Sequence, residues 1–254
     1  MEERKKAFIT GGSRGIGRGI VKVLASSGYD VAFTYNQMRE EAEKLHNEAA
    51  ALGAKCFFYQ ASLEKPDVPG TVTMKAIEDL GGLDAMICNA GITRFNSLLT
   101  VNAEFIDYLY NLNYRSYLLC SKTAAGFMSE HNIAGNIVFI TSTRGIRAYP
   151  EDCIYGSLKA ALNRAAESMA LEMAEKKIRV NCVAPGATAT RVDLSEDARA
   201  FVPKIPLGRK GSPEEVGYLV RYIISDEARY MTGNIVKLDG GLILPGMPER
   251  AQKN

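Results

Sequence analysis

Only two histidines, His46 and His131, occur in the 254-residue chain. They are far apart, and both fall on stretches that read as exposed helix. Neither has Cys or carboxylate partners at ligand spacing, so no metal site is expected. The same scarcity argues against Ser–His–Asp hydrolysis. An excess of one charge is also missing, with 31 Lys plus Arg against 29 Asp plus Glu. That balance gives no reason to expect nucleic acid or a membrane surface as a partner. No apolar run approaches the roughly 20 residues that span a bilayer. Two acids interrupt the basic opening, Met1-Glu2-Glu3-Arg4-Lys5-Lys6. Only Ala7-Phe8-Ile9 follow, too short for a secretory apolar core. A cytoplasmic protein without membrane attachment is therefore expected. The cysteines are odd in number, five, and scattered (Cys56, Cys88, Cys120, Cys153, Cys182), as expected of reduced thiols, mostly in the core. Cys153 lies close to Tyr155, but no His is nearby in sequence to make it a nucleophile. No Gly-Lys-Ser/Thr occurs, which argues against a P-loop nucleotide hydrolase.

What is present is an apolar fraction of 46%, ample for a core. Short apolar runs at 7–10, 31–35, 56–60, 85–88, 137–141, 179–184 and 235–238 alternate with longer helix-like stretches. Several runs are continuously apolar, as parallel strands covered on both faces require. Residues 39–52 read as a helix stopped by Gly53, and 155–175 as one long helix. Ser212-Pro213-Glu214-Glu215 has the signs of a helix start: a capping Ser, Pro in the first turn, then acids. Repeated strand–helix–strand units imply an α/β fold, a doubly wound parallel sheet of about seven strands flanked by helices. No linker-like composition shift divides the chain, so a single domain over 1–254 is expected.

Against this framework stand several motifs. Thr10-Gly11-Gly12-Ser13-Arg14-Gly15-Ile16-Gly17 follows the first strand. There glycines permit a sharp turn and close approach to phosphates, and the N–H groups of the next helix face the anion. Cys88-Asn89-Ala90-Gly91 follows the fourth strand, Ser142 the fifth, and Pro185-Gly186 closes the sixth. Tyr155-Gly156-Ser157-Leu158-Lys159 lies thirteen residues beyond Ser142. Taken singly, each has a plainer account. Tyr-x-x-x-Lys can be surface decoration, Ser142 a cap, Asn113 a helix start, Arg14 an exposed turn charge. Their joint occurrence in this order resembles the short-chain dehydrogenase/reductase family, over about residues 6–241.

The resemblance implies a Rossmann-like fold, a nicotinamide cofactor, and a catalytic set of Asn113, Ser142, Tyr155 and Lys159. It implies that Asn113 holds a water linking Lys159 to solvent, and that Lys159 bonds the nicotinamide ribose. Pro185, Gly186 and Thr188 match the segment that positions the carboxamide, and Thr190 matches a phosphate-contacting Thr. Cofactor contacts are expected from Gly11, Ser13, Arg14, Gly15, Ile16, Gly17, Tyr35, Asn36, Ser62, Asn89, Ala90, Gly91, Tyr155, Lys159, Pro185, Gly186, Thr188 and Thr190. Two positions depart from the family pattern. Ser62 stands where an Asp usually meets the adenine amine, and Cys88 replaces the first Asn of Asn-Asn-Ala-Gly. The resemblance also implies a homotetramer, with helices around 102–132 and 155–175 at one interface and the C-terminal segment at another.

The cofactor's identity is read at the end of the second strand. An acid there bonds the ribose 2′-hydroxyl of NAD and would repel the 2′-phosphate of NADP. Phe33-Thr34-Tyr35-Asn36-Gln37 has none before Glu40, and Arg14 stands in the turn, with Arg39 nearby. NADP(H) is therefore expected over NAD(H). The chemistry at the other end can be argued directly. Reducing a carbonyl needs a proton on oxygen, and tyrosine, with a pKa of about 10, is a poor acid–base group near neutrality. Lys159, four residues on, shares its helix face, and a nearby ammonium favours the phenolate. Ser142 would bond the substrate oxygen.

The resemblance implies a small carbonyl or alcohol substrate, whose identity is less legible. The loop 187–206 is polar and mixed, with Arg191, Asp193, Glu196, Asp197 and Arg199. Arg144 and Arg147 would suit an acidic substrate, or be solvated or subunit-contact residues. The pattern is nearest to 3-oxoacyl-carrier-protein reductases and glucose-dehydrogenase-like enzymes. Those reductases dock the carrier through basic residues outside the active-site mouth; the resemblance places Lys176 at one such position and at the other Ile133, which cannot pair with an acid. Steroid or sugar substrates stay open, as does a non-catalytic NADP-binding sensor or scaffold, although a sensor has no need of an acid–base group.

Overall fold

Phe8 faces away from its neighbours Ala7 and Ile9, and all three are fully buried. The same two-sided burial recurs along the central strands, where Val138 and Ile140 enter one core and Ile137 and Phe139 the other. Each large apolar side chain so buried contributes about 1.5–3 kcal/mol. A one-residue slip would exchange the contents of the two cores, so register is tightly specified.

The computed structural model describes residues 4–190 and 201–244. Seven strands form one parallel sheet: β1 (Lys6–Ile9), β2 (Asp30–Tyr35), β3 (Cys56–Gln60), β4 (Ala85–Cys88), β5 (Asn136–Ile140), β6 (Arg179–Pro185) and β7 (Ile235–Leu238). Their order is β3-β2-β1-β4-β5-β6-β7. The helices are α1 (Gly15–Ser26), α2 (Arg39–Ala51), α3 (Val68–Leu80), α4 (Ala103–Tyr110), α5 (Ser116–Glu130), α6 (Tyr155–Met173) and α7 (Pro213–Ile224). The core beneath α1, α2 and α7 covers one face of the sheet, and that beneath α3, α5 and α6 the other. The chain builds outward from β1 in one direction, then returns to place β4 on its other side. Ligands of such sheets bind at the carboxyl ends of the strands flanking that reversal.

Helix α1 lies against α7 at a glycine contact. A Cβ on Gly19 would stand 2.4 Å from the Pro213 carbonyl carbon, and one on Gly217 2.9 Å from the Gly19 oxygen. The start of α7 matches its sequence signature. Ser212 Oγ accepts from Glu215 N at 3.2 Å, and Glu215 Oε2 accepts from Ser212 N at 2.7 Å. The Arg209 guanidinium beside it, then the Ser212 N–H, bring the Glu215 carboxyl down to about 2.

One expectation needs correction and two gain detail. The stretch 102–132 is helical from Ala103 to Glu130, with a wide π turn, Asn111–Arg115, set between α4 and α5. The long helix that opens at Tyr155 runs to Met173 and tightens into a 3-10 turn at Ala174–Lys176, ending on Lys177 at φ +59. His46 is not exposed. It packs half-buried on Phe58, ring centroids 5.3 Å apart, because it follows Leu45 on the face of α2 turned to the sheet. The cysteines behave as expected: Cys56, Cys88, Cys120 and Cys182 are buried and free, and Cys153 is exposed. Arg191, Asp193, Glu196, Asp197 and Arg199 lie outside the described residues.

Candidate active site

The glycine turn after β1 is tied on both sides. Asn89 Nδ2 donates to the Thr10 and Gly11 carbonyls at 2.9 and 3.0 Å. Thr10 Oγ1 accepts from Asn89 N and Ala90 N at 2.9 and 3.0 Å. From β2, Thr34 accepts Gly11 N on its hydroxyl and Gly12 N on its carbonyl, at 2.9 and 2.8 Å. Gly11 and Gly15 have φ of +67 and +54, which favours glycine. At Gly17 the reason is space, since a Cβ there would fall 2.1 Å from the Gly11 oxygen. Helix α1 then begins with Arg14 as an N-cap that forms no side-chain capping bond, and its first turn holds no acid. Its leading N–H groups are left for an anion, as the pyrophosphate of a dinucleotide requires. Ser13 is buried in this turn, and Ile16 packs on the core below.

The other expected cofactor residues gather at the same end. Thr190, 175 positions further along the chain, folds back until a Cβ on Gly15 would stand 3.3 Å from its side chain. Pro185 ends β6, and Gly186 N donates to Leu238 O at 3.0 Å. Gly186 must be small, because a Cβ would lie 2.6 Å from Asp239 Cβ. Thr188 pairs in a short parallel bridge with Gly211. Past β2, Tyr35 is buried whereas Asn36 and Arg14 are exposed. Arg14 Nη1 approaches only the Met38 sulfur, at 3.9 Å. Arg39 is committed to Glu43 at 2.7 Å, so Arg14 is the cation there without an acidic partner among the described residues. Ser62 is half-buried after β3, its carbonyl accepting from Lys65 N at 3.1 Å.

At the reacting end, Tyr155 opens α6, and Lys159 follows on the same face. The Lys159 Nζ stands 5.7 Å from the centre of the Tyr155 ring. Ser142, just past β5, caps a single 3-10 turn by accepting from Arg144 N at 3.1 Å. Burial raises the Tyr155 phenol above its ordinary value; the Thr93 and Ser142 side chains favour the phenolate and act against this. Burial also pushes Lys159 down to about 7. The spacing in sequence leads one to expect a phenol lowered by its lysine neighbour. Here burial dominates, because both groups sit out of water. Asn113 is fully buried in the π turn. Its Oδ1 accepts from Ile92 N at 3.2 Å, and its Nδ2 donates to Leu109 O at 3.3 Å. Gly91 lies directly over it, and a Cβ there would be 2.5 Å from Asn113 Oδ1. The side chain thus anchors the strand β4 exit to the π turn.

A family model described as Enoyl-(Acyl carrier protein) reductase matches residues 11–243. The chain belongs to the short-chain dehydrogenase/reductase family. It is 32% identical over 247 residues to the 3-oxoacyl-[acyl-carrier-protein] reductase FabG of Staphylococcus aureus, covering 96% of this chain and 100% of that protein. The 3-oxoacyl-[acyl-carrier-protein] reductase of a Synechocystis strain is likewise 32% identical, over 239 residues, covering 94% and 96% of the two chains. Among solved structures, acetoin dehydrogenase YohF from Salmonella typhimurium superposes with a TM-score of 0.92 at 30% identity, covering 98% of this chain and 100% of that one. A short-chain dehydrogenase/reductase from Serratia marcescens superposes with a TM-score of 0.89 at 32% identity, over 94% and 97% of the two chains. This family member is an oxidoreductase acting on CH–OH and C=O groups with a nicotinamide cofactor.

Phe95, Asp152 and Tyr117 were not singled out in the sequence, and they meet two residues that were, Arg144 and Lys159. The Arg144 guanidinium lies between the rings of Phe95 and Tyr149, 4.2 and 4.5 Å from their centres, and pairs with Asp152 at 2.9 Å. Phe95 in turn meets the Tyr155 ring edge-on at 6.3 Å. Tyr117 reaches Lys159 from α5, its hydroxyl 3.2 Å from Nζ. None carries a local signature, since each meets the site from a separate segment. Only the closeness of Asp152 to Tyr155 in sequence could have drawn notice.

Proposed function

We propose that this enzyme interconverts a ketone and a secondary alcohol with NADP(H), Tyr155 serving as acid and base. The observation that carries this reading is the buried Lys159 ammonium one helical turn from the buried Tyr155 phenol, with Ser142 beside it. The glycine turn, the uncapped start of α1 and Thr190 would hold the dinucleotide phosphates. Lys159 would bond the nicotinamide ribose, and Asn89, Ala90, Gly91, Pro185, Gly186 and Thr188 would border the ring. Bound nicotinamide supplies the hydride to the carbonyl carbon. Tyr155 gives its proton to the carbonyl oxygen, which Ser142 holds by a hydrogen bond. The resulting phenolate is favoured by the Lys159 charge, which lowers the cost of the transfer. Lys159 would then pass a proton to the Tyr155 phenolate, and a water held at the π turn beside Asn113 would bring a proton from solvent back to Lys159.

NADP(H) over NAD(H) is supported by the absence of an acid after Tyr35 and by exposed Arg14, which would meet a 2′-phosphate together with Asn36. For the substrate we favour a 3-oxoacyl-type ketone. Lys176 is exposed and suits an acidic carrier, but Ile133 packs on the core and supplies no second charge. A small neutral ketone or diketone is the second reading. It is favoured by the aromatic wall of Phe95 and Tyr149 and by Asp152, which neutralises Arg144. We read the chain as a single domain that assembles as a homotetramer. Exposed Leu171 on α6, Tyr218 and Tyr222 on α7, and Leu244 near the C-terminus suit such contacts. Light scattering that gave a stable monomer would remove the tetramer. Free buried thiols suit a reducing cytoplasm.

The deciding experiment is oxidation of NADPH and of NADH against a 3-oxoacyl thioester, a steroid ketone, a sugar lactone and small diketones, with Tyr155→Phe as control. Turnover with NADPH that falls about a hundredfold or more in Tyr155→Phe is expected. Equal, negligible rates in both proteins with tight NADPH binding would instead favour a sensor.

A further inference from the structure

Beneath the reacting end three polar groups close a triangle. Lys159 Nζ donates to the Tyr117 hydroxyl at 3.2 Å and to the Ile140 carbonyl at 3.0 Å, and the Tyr117 hydroxyl donates to the same carbonyl at 3.2 Å. We propose that Tyr117 and the Ile140 carbonyl form a fixed seat for the Lys159 ammonium, making Tyr117 a positioning residue for proton transfer at Tyr155. The inference rests on the catalytic reading of Lys159 given above.

The seat is built from two elements on either side of the lysine. Tyr117 comes from the first turn of α5 and Ile140 from the last residue of β5. An ammonium has three N–H donors. Two are taken inward by the seat, which leaves the third, unpaired among the described residues, for the nicotinamide ribose. Tyr117 is 1% exposed, its ring edge-on to Phe139 at 5.5 Å and its centre 4.8 Å from Nζ. A Phe would fill that space without burying a polar atom. The hydroxyl is retained in an apolar core, and among the described residues its only bonds are to Lys159 and Ile140. An oxygen buried there is costly unless it is bonded, so its place is accounted for by what it holds.

The surroundings leave the seat as the source of support for the charge. The titratable groups facing Lys159 and Tyr117 are Tyr155 from α6, Cys88 from β4, Cys120 from α5 and Cys182 from β6. Burial raises the pKa of all three thiols and of Tyr117 itself, so each is neutral near pH 7. The ammonium is therefore met by two oxygen dipoles and by no anion from these neighbours. Removing the hydroxyl takes away an acceptor that favours the charged form, so Lys159 must lose its proton at lower pH.

The test is Tyr117→Phe, followed as kcat/KM against pH on the fastest ketone of the panel, beside Lys159→Met and Tyr155→Phe. The expected result is an alkaline limb displaced towards acid by about one pH unit or more. With it, kcat at pH 8 falls about tenfold, while the KM for ketone and the melting temperature move little. Site-specific 3-fluorotyrosine at position 117 keeps the fold and the hydroxyl but weakens it as an acceptor. It should displace the limb the same way by less. If Lys159→Met and Tyr155→Phe lose turnover while both changes at Tyr117 leave the pH profile superposed on wild type, the seat is overturned and the catalytic reading stands. A Lys159→Met enzyme with unchanged turnover would overturn both.

Discussion

Arg144 Nη1 lies 2.9 Å from Asp152 Oδ2, and the Asp152 side chain is only 2% exposed. The other Asp152 oxygen accepts from Gly156 N at 3.1 Å, one residue past Tyr155. The pair therefore does two things at once. It neutralises the Arg144 cation, and it fixes the first turn of the helix that bears the Tyr155 phenol.

From this pair the first prediction follows. Arg144→Ala leaves a buried carboxylate without its partner, and stability should fall by about 3 kcal/mol. Asp152→Asn keeps an acceptor for Gly156 N and leaves the partly exposed Arg144 to water, so it should cost less. Urea unfolding of both variants checks the order; a larger loss for Asp152→Asn would contradict it.

Burial of Lys159 makes stability depend on pH. Its pKa is about 10.5 when unfolded and about 7 in the fold, so the unfolded chain binds the extra proton between these values. Stability should therefore rise with pH across about 7 to 10.5, and the full cost of burying the charge is felt below 7. Lys159→Met should stabilise the ligand-free protein at pH 6. That gain should be smaller by about 2–3 kcal/mol at pH 9. Denaturant midpoints of both proteins at the two pH values would show it.

Gly17 and Gly126 offer a contrast between two helical glycines. A Cβ at Gly17 would lie 2.1 Å from the Gly11 oxygen and 2.6 Å from Asn89 Nδ2, whereas one at Gly126 would meet nothing within 4 Å. Gly17→Ala should break the turn and weaken NADPH binding by about tenfold or more. Gly126→Ala should stabilise by up to about 1 kcal/mol with binding intact. Nucleotide fluorescence titration and thermal melts on each separate the two effects.

Arg14→Ala tests the cofactor assignment. Loss of a charge-assisted contact to the 2′-phosphate should raise the KM for NADPH about tenfold or more, while NADH changes about twofold at most. Equal losses for both cofactors would show that Arg14 serves the turn and not the phosphate.

Much of the fold is legible in the residues alone. Seven apolar runs fall within one residue of the seven strands, because two-sided burial leaves an unbroken apolar signal. The capping box at Ser212 is visible because its signature is local. The π turn at Asn111–Arg115 is not, since it has no composition of its own and the partner that Asn113 meets there, Ile92, lies on a separate segment. His46 reads as exposed in sequence because what it packs on, Phe58, lies on a separate strand.

The sequence by itself determined that Tyr155 and Lys159 share a helix face, that glycines follow the first strand, and that no acid ends the second. Each follows from spacing along one element, which the period of a helix or the conformation of a turn dictates. Only the tertiary structure decided what surrounds them: Tyr117 and Ile140 beneath Lys159, Asp152 against Arg144, and Thr190 over Gly15. Those contacts join segments that are distant in sequence or separately oriented. They exist because the strand order brings the ends of β1, β4, β5 and β6 side by side.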